Sequence, residues 1–377
     1  MRRIARYVYY ALSAALLGLF LIGYVARYVH PRYSWWAELV AIGLPYLAFA
    51  VVVGAAGAVA LRAWRLAAAH ALVLVLAAVR FGVPHPFGDG GGAPRPGDLR
   101  VMTYNVPRWG SPAEATKTSR LRTLIDSLEP GLLALQEAPV DFDGKGALTD
   151  GTRPYVRTLT EPPLGYEVAY SSGQRRTAQP VLGRVSLFNL SQQTLRAGRP
   201  ADMKDVTYVA RAGFEWKGRR AVLYNVHLRS FGSDKPWRAD NPHLFDWGFW
   251  KPYLRQYRNA YRARAKEIER IRKMLKQEKR PVIVAGDFNS TPHSWVHRQL
   301  TAGGMQDAFG RTGDGWGSTY HSDLPFARID FVFASAEWKI IEARVPEADL
   351  SDHRPMLATL RWRSSGTGER GSGSRGE

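Results

Sequence analysis

Six separate segments of the chain carry polar side chains at the ends of apolar runs, and these are the residues whose types and spacing can do chemistry. In residues 281–289, PVIVAGDFN, an acid and an amide, Asp287 and Asn289, stand two apart directly after a run of small and β-branched residues. In residues 132–137, LLALQE, Glu137 follows a run suited to a buried strand. A carboxylate there is costly to bury without a cation or several donors, so metal ligation is the sharper reading of Glu137. Asp330 lies inside the apolar run of residues 328–333, RIDFVF, and a buried carboxylate needs a partner, for which an imidazolium is well suited. Asp352-His353, just ahead of the last apolar run, offers an acid and a base together. Asn225 and His227 share one face of residues 221–228, AVLYNVHL, a pairing suited to binding phosphate or water. Asn105 ends residues 99–105, LRVMTYN. Singly each of these is ordinary; their recurrence in order is the signal.

The elements that must position them are mostly strands. Four apolar residues in a row at 282–285 suit a strand buried on both faces, with Gly286 allowing a tight turn after it. Strands are expected at 99–104, 132–135, 166–170, 185–190, 206–212, 221–228, 328–333, 338–345 and 356–362. Helical spacing marks residues 119–128, ended by Pro130-Gly131, and residues 254–277, where an apolar face opposes many Arg and Lys. A further helix is expected to start at Ser290-Thr291-Pro292. Residues 234–253 combine six aromatics with prolines and charges and show no period. They read as a loop, either a lid packed on the domain or a segment that dips into a bilayer interface.

The first 98 residues have a different character. Residues 7–26, 39–61 and 66–79 are runs of 20, 23 and 14 residues without Lys, Arg, Asp or Glu. At ~1.5 Å per residue the first two cross a ~30 Å hydrocarbon core, while the third crosses only if its flanking arginines snorkel. Arg2, Arg3, Arg6, Arg62 and Arg65 should face the cytoplasm. Three spans then put the C-terminal part outside the cytoplasmic membrane, and two would leave it inside. We expect a multi-pass cell-membrane protein with an extracytoplasmic domain. Its organisation reads as a transmembrane region (1–81), a Gly/Pro-rich linker (82–98), one α/β domain (99–363) and a low-complexity disordered tail (364–377).

Residues 1–98 hold nine Lys/Arg and three Asp/Glu, so about +13 of the net charge of +19 lies on the remainder. That favours polyanions: nucleic acid, phosphorylated small molecules or anionic lipid head groups. The chain has no cysteine, which excludes disulfides, thiolate metal sites and cysteine nucleophiles.

The segments TYN, LQE, NVH, GDFN, RIDFVF and SDHRP, in that order over residues 99–362, resemble the endonuclease/exonuclease/phosphatase superfamily. The resemblance implies an α/β fold, a four-layer α/β sandwich of two packed β-sheets flanked by helices, here preceded by a helical transmembrane region. It also implies hydrolysis of a phosphoester or phosphoanhydride bond with Mg2+, or Mn2+ in its place. On that likeness Glu137, Asn105 and Asp352 hold the metal, and Asn105 and Asn225 lie against substrate. His353 is oriented by Asp330, Asp287 orients or deprotonates water, and Asn289 and His227 donate to the developing oxyanion. Either Asp287 or His353 serves as the base. The membrane-anchored layout resembles the bacterial branch that includes teicoplanin-resistance-associated proteins, which implies a lipid-linked substrate such as a polyprenyl pyrophosphate or a phospholipid. The alternatives are a membrane-tethered Mg2+-dependent nuclease and a non-catalytic binding module.

Overall fold

The computed structural model describes residues 2–81, 92–106, 114–195, 207–232, 235, 236, 239, 243, 245–323 and 326–363. Four helices come first, α1 (Arg2–Ala26), α2 (Pro31–Ile42), α3 (Leu44–Ala60) and α4 (Trp64–Phe81). By length and composition, Arg3–Ala26 and Trp64–Phe81 can each cross a membrane. The run at 39–61 is not one straight helix as expected: α2 and α3 meet at an angle of 61° around Gly43. Pro45, in the first turn of α3, lacks the N–H that would continue α2. Conversely, α4 takes in Trp64, Arg65 and Arg80 and reaches 18 residues, longer than its uncharged core of 14. Phe20, Leu44, Val51, Val73 and Ala77 bury the seam between α1, α3 and α4.

The remaining elements are β1 (Leu99–Asn105), α5 (Glu114–Leu128), β2 (Leu132–Gln136), β3 (Val140–Asp141), α6 (Pro154–Thr160), β4 (Glu167–Val168), β5 (Arg176–Thr177), β6 (Val181–Gly183), β7 (Leu187–Thr194), β8 (Tyr208–Trp216), β9 (Arg219–His227), α7 (Trp247–Gln277), β10 (Val282–Asp287), α8 (Trp295–Thr301), β11 (Gln306–Asp307), α9 (Ala308–Thr312), β12 (Asp330–Ala334), β13 (Trp338–Arg344) and β14 (Met356–Trp362). Twelve of the strands form two six-stranded sheets, ordered β13-β14-β1-β2-β6-β4 and β11-β12-β10-β9-β8-β7, and β3 pairs with β5.

Strand alternation explains the layers. Val101, Leu132, Ala134, Leu223, Ile283, Ala285 and Val332 point between the sheets and form one core. The intervening residues point outward. Met102, Leu133 and Leu135 pack under Leu121 and Ile125 of α5, while Val222, Val282 and Val284 pack under Ala265, Ile268 and Ile271 of α7. The run at 282–285 is therefore apolar at every position because both faces of β10 are covered. Each Val or Ile of the run contributes about 1.5–3 kcal/mol of burial.

Three expectations are corrected. Helix α7 starts at Trp247, capped by the Asp246 carboxylate accepting from Gly248 N at 2.8 Å, so the end of the aromatic segment is helical although Pro252 lies within it. The helix expected at Ser290 starts instead at Trp295, with Ser294 as its cap. Gly286 makes no turn; it lies inside β10 with φ +152°, where a Cβ would come 1.9 Å from Val226 O. The glycine lets β9 approach closely. At the entry to the domain, Arg361 grips both carboxylate oxygens of Asp98 at 2.7 Å. The expectations for residues 82–91 and 364–377 lie outside the described residues.

Candidate active site

The sheet registers bring the polar residues to one rim. Asp287 of β10 pairs with His227 of parallel β9 and with Asp330 of antiparallel β12, and in the other sheet Asn105 pairs with Gln136. Each continues the inward-facing row of its own strand at the strand's end, Asp330 ahead of Val332 and the others after their core residues, so where the apolar core ends the polar groups face one another across the gap between the sheets.

Asp287 is the buried centre. Its Oδ1 accepts the backbone N–H of Asn289 at 2.8 Å, and its Oδ2 accepts Asn105 Nδ2 at 3.0 Å and Asn289 Nδ2 at 3.2 Å. The Nε2 atoms of His227 and His353 lie 3.5 and 3.8 Å from the same oxygen. Asn289 adopts φ +48°, and its Nδ2 also donates to Leu228 O at 3.0 Å. Its amide protons are directed at Leu228 O and Asp287 Oδ2, so Asn289 braces the acid.

Asp330 is fully buried and accepts from His353 Nδ1 at 2.9 Å. Thr319 Oγ1, a participant the sequence reading missed, accepts the N–H groups of Ile329 and Asp330 and anchors that turn. Burial disfavours a charged imidazole at His353, yet the carboxylates of Asp330 and Asp287 outweigh it, and the pKa is pushed up to about 10.

Asn225 was expected against substrate and is not there. It is fully buried, with Nδ2 donating to Leu135 O at 2.8 Å and Pro180 O at 2.9 Å and Oδ1 accepting from Gln136 Nε2 at 2.7 Å. Gln136 also donates to Thr103 Oγ1 at 3.1 Å. This chain of amides ties the two sheets together below the rim. The signal was available in phase: Asn225 falls on the same face as Leu223, and Gln136 on that of Ala134. A second buried network was also missed. Asp307 is held by both Arg328 guanidinium nitrogens, at 2.7 and 2.8 Å, and by His297 Nε2 at 2.8 Å, fixing the approach to β12.

Residues 102–353, about two thirds of the chain, match the sequence profile of the Endonuclease/Exonuclease/phosphatase family. The chain belongs to this family. Solved endonuclease/exonuclease/phosphatase structures share the fold. A protein of the family from Bacteroides vulgatus aligns with a TM-score of 0.50 at 19% identity, over 71% of this chain and 99% of its own. One from Bacteroides thetaiotaomicron gives 0.51 at 14% identity, over 71% and 98%. The mannosyl-6-phosphatase of Bacteroides thetaiotaomicron gives 0.50 at 13%, over 70% and 100%. No curated protein matches the chain by sequence. Members of the endonuclease/exonuclease/phosphatase family are hydrolases acting on phosphoester bonds and generally depend on a divalent metal.

The donor set of this endonuclease/exonuclease/phosphatase site suits a hard divalent ion. The ligand-type atoms of Asp287, Asp330 and His353 lie within 4.8 Å of one another, but Asp330 is already hydrogen-bonded to His353, and Asp287 to Asn105 and Asn289. Glu137 differs. It sits at φ +56° just past β2, its side chain is 40% exposed, and its carboxylate lies 4.0 Å from His227 Nε2. Asp352 is exposed, and Ser351 Oγ joins its segment to Asn105 O at 2.7 Å. Two accessible carboxylates and an amide oxygen on neighbouring strand ends are hard oxygen donors of the kind a divalent cation takes.

Proposed function

We propose that the chain is a membrane-anchored, divalent-metal-dependent phosphohydrolase. The observation that carries this reading is the buried carboxylate of Asp287, braced by Asn105 and Asn289 and flanked by two imidazoles. Asn105, Glu137 and Asp352 would hold the ion, which when bound supplies Lewis-acid polarisation of a phosphoryl oxygen. His353 lies between two carboxylates, Asp330 and Asp287, so both its nitrogens act as donors. That leaves Asp287 to orient and deprotonate the attacking water, while His353 and His227 donate to the phosphoryl oxygens.

The anchor is part of the proposal. Tyr28, just past α1, stacks under Arg298 at 4.7 Å; Tyr46, at the start of α3, stacks on Phe326 at 5.6 Å; Phe81, at the end of α4, meets His293 at 5.1 Å. These contacts support three crossings by α1, α3 and α4, with α2 outside the bilayer against the domain. Arg3, Arg6, Arg62 and Arg65 then lie on the opposite face, which the positive-inside rule assigns to the cytoplasm. An outward-facing site next to the bilayer favours a lipid-linked phosphate. The charge of about +13 beyond residue 98 favours a second reading, a tethered nuclease. The deciding experiment is a phosphate-release screen of the detergent-solubilised chain, with and without Mg2+, over polyprenyl pyrophosphates, phospholipids, sugar phosphates and nucleic acids. Release from lipid substrates supports the first reading; degradation of plasmid with no release from lipids supports the second.

A further inference from the structure

Glu38 is the one acidic residue among residues 1–81, and it is 2% exposed. A lone carboxylate in so apolar a region needs a partner. Its partners come from the catalytic domain. Glu38 Oε1 accepts the backbone N–H of Trp295, the first residue of α8, at 2.9 Å. Arg264 of α7, also fully enclosed, lies within reach of its charge. The Arg264 guanidinium is packed 4.4 Å from the rings of both Phe231 and Tyr261, and its Nη1 donates to Ser290 Oγ at 3.3 Å. Ser290 follows Asn289, whose N–H and amide hold Asp287. Two buried links thus reach the catalytic turn from behind, one from Glu38 of helix α2 to the start of α8 and one from Arg264 to Ser290. Helix α2 is fixed for this task at its other end, where Arg262 donates to Arg32 O at 3.1 Å and Glu269 meets His30 Nε2 at 3.3 Å.

We propose that Glu38 and Arg264 are positioning residues through which the membrane region sets the geometry of the Asp287–Ser290 turn. Glu38 acts twice. It closes the loop between Ser290 and Trp295 by accepting at the start of α8, and its carboxyl is one of the acidic groups, with Glu267 and Asp287, that face the Arg264 guanidinium behind Ser290. Removing Glu38 takes away the acceptor at the start of α8 and one of the acidic groups facing the buried Arg264, and both losses fall on the segment that directly follows Asp287. The membrane helices on this account complete the hydrolytic site as well as anchor it. The proposal rests on the reading of Asp287 as part of a hydrolytic centre.

The test uses the full chain in detergent micelles, with Mg2+-dependent release of p-nitrophenolate from bis(p-nitrophenyl) phosphate and amide hydrogen exchange of residues 287–295 as paired readouts. Glu38→Ala is expected to lower kcat about tenfold per folded molecule, with KM within about twofold, and to raise exchange across 287–295. Glu38→Gln keeps an acceptor for Trp295 but loses the charge, so it should fold normally and show an intermediate loss. Combining Glu38→Gln with Arg264→Gln should cost no more than Arg264→Gln alone. If Glu38→Ala and Arg264→Gln lower thermal stability but keep wild-type kcat and wild-type exchange at 287–295, the proposal is wrong. Should the wild-type chain release nothing from this or any other phosphoester while Glu38→Ala still loosens 287–295, the mechanical link stands and the hydrolytic reading falls.

Discussion

Asn105 Nδ2 donates to Asp287 Oδ2 at 3.0 Å, and this bond joins the end of β1 in one sheet to the end of β10 in the other. It divides the site into two halves. The open oxygen donors Glu137 and Asp352 come from segments around β2 and β14, beside β1; the acid and base groups His227, Asp287 and Asp330 come from β9, β10 and β12. Asn105 is where the halves are held in register. Its replacement by Ala removes a donor from Asp287 without touching the core, and kcat should fall about 10²-fold with KM little changed. Steady-state kinetics on the purified chain check this.

Asn225 gives the opposite expectation. Asn225→Leu removes one donor from each of the Leu135 and Pro180 carbonyls and one acceptor from the Gln136 amide, at a total cost of about 1–3 kcal/mol. Thermal stability should drop while KM of the remaining folded protein stays near the wild-type value. A rise in KM with unchanged stability would instead make Asn225 a substrate contact.

Why Asn225 was misplaced shows what the sequence can and cannot carry. The strands around the site were legible because β10 and β2 read as unbroken apolar runs, and the acids at their ends stood out. The amides did not stand out, since an Asn at a strand end reads the same whether it faces solvent or bridges two sheets, and only the packing of β2 on β9 decides. The Asp307–Arg328–His297 network was invisible for the same reason: its members come from three elements and meet only in the folded chain. The bend at Gly43, by contrast, had a local signal, since Pro45 lacks the N–H that would continue α2.

Asp307 carries a pH prediction. Burial works against its ionised form, but the Arg328 charge and the His297 hydrogen bond outweigh burial and hold the carboxyl well below the usual range. A depressed folded-state pKa means that the stability it contributes is complete above the unfolded value of about 3.9 and is lost as pH falls below it. Arg328→Met should therefore cost about 3–5 kcal/mol at neutral pH, because it strands a buried carboxylate, and should flatten the acid limb of the stability profile. Adding Asp307→Leu should recover part of that loss. Thermal melts between pH 3 and pH 7, roughly spanning the carboxylate range, read both effects.

Glu137 tests the ion. Glu137→Gln keeps shape and hydrogen-bonding capacity but removes a charged oxygen donor, so the Mg2+ concentration for half-maximal activity should rise. Asp352→Asn should shift it in the same direction, and chelation of the wild-type chain should abolish turnover. A metal titration that does not move in either variant would place the ion elsewhere.

The central claim is that the rim around Asp287 performs phosphoester hydrolysis, and the most direct measurement is Mg2+-dependent phosphate release by purified Asp287→Ala and His353→Ala chains beside the wild type. The account predicts that each falls by about 10²–10⁴-fold with the protein still folded. Wild-type release by both variants would contradict it.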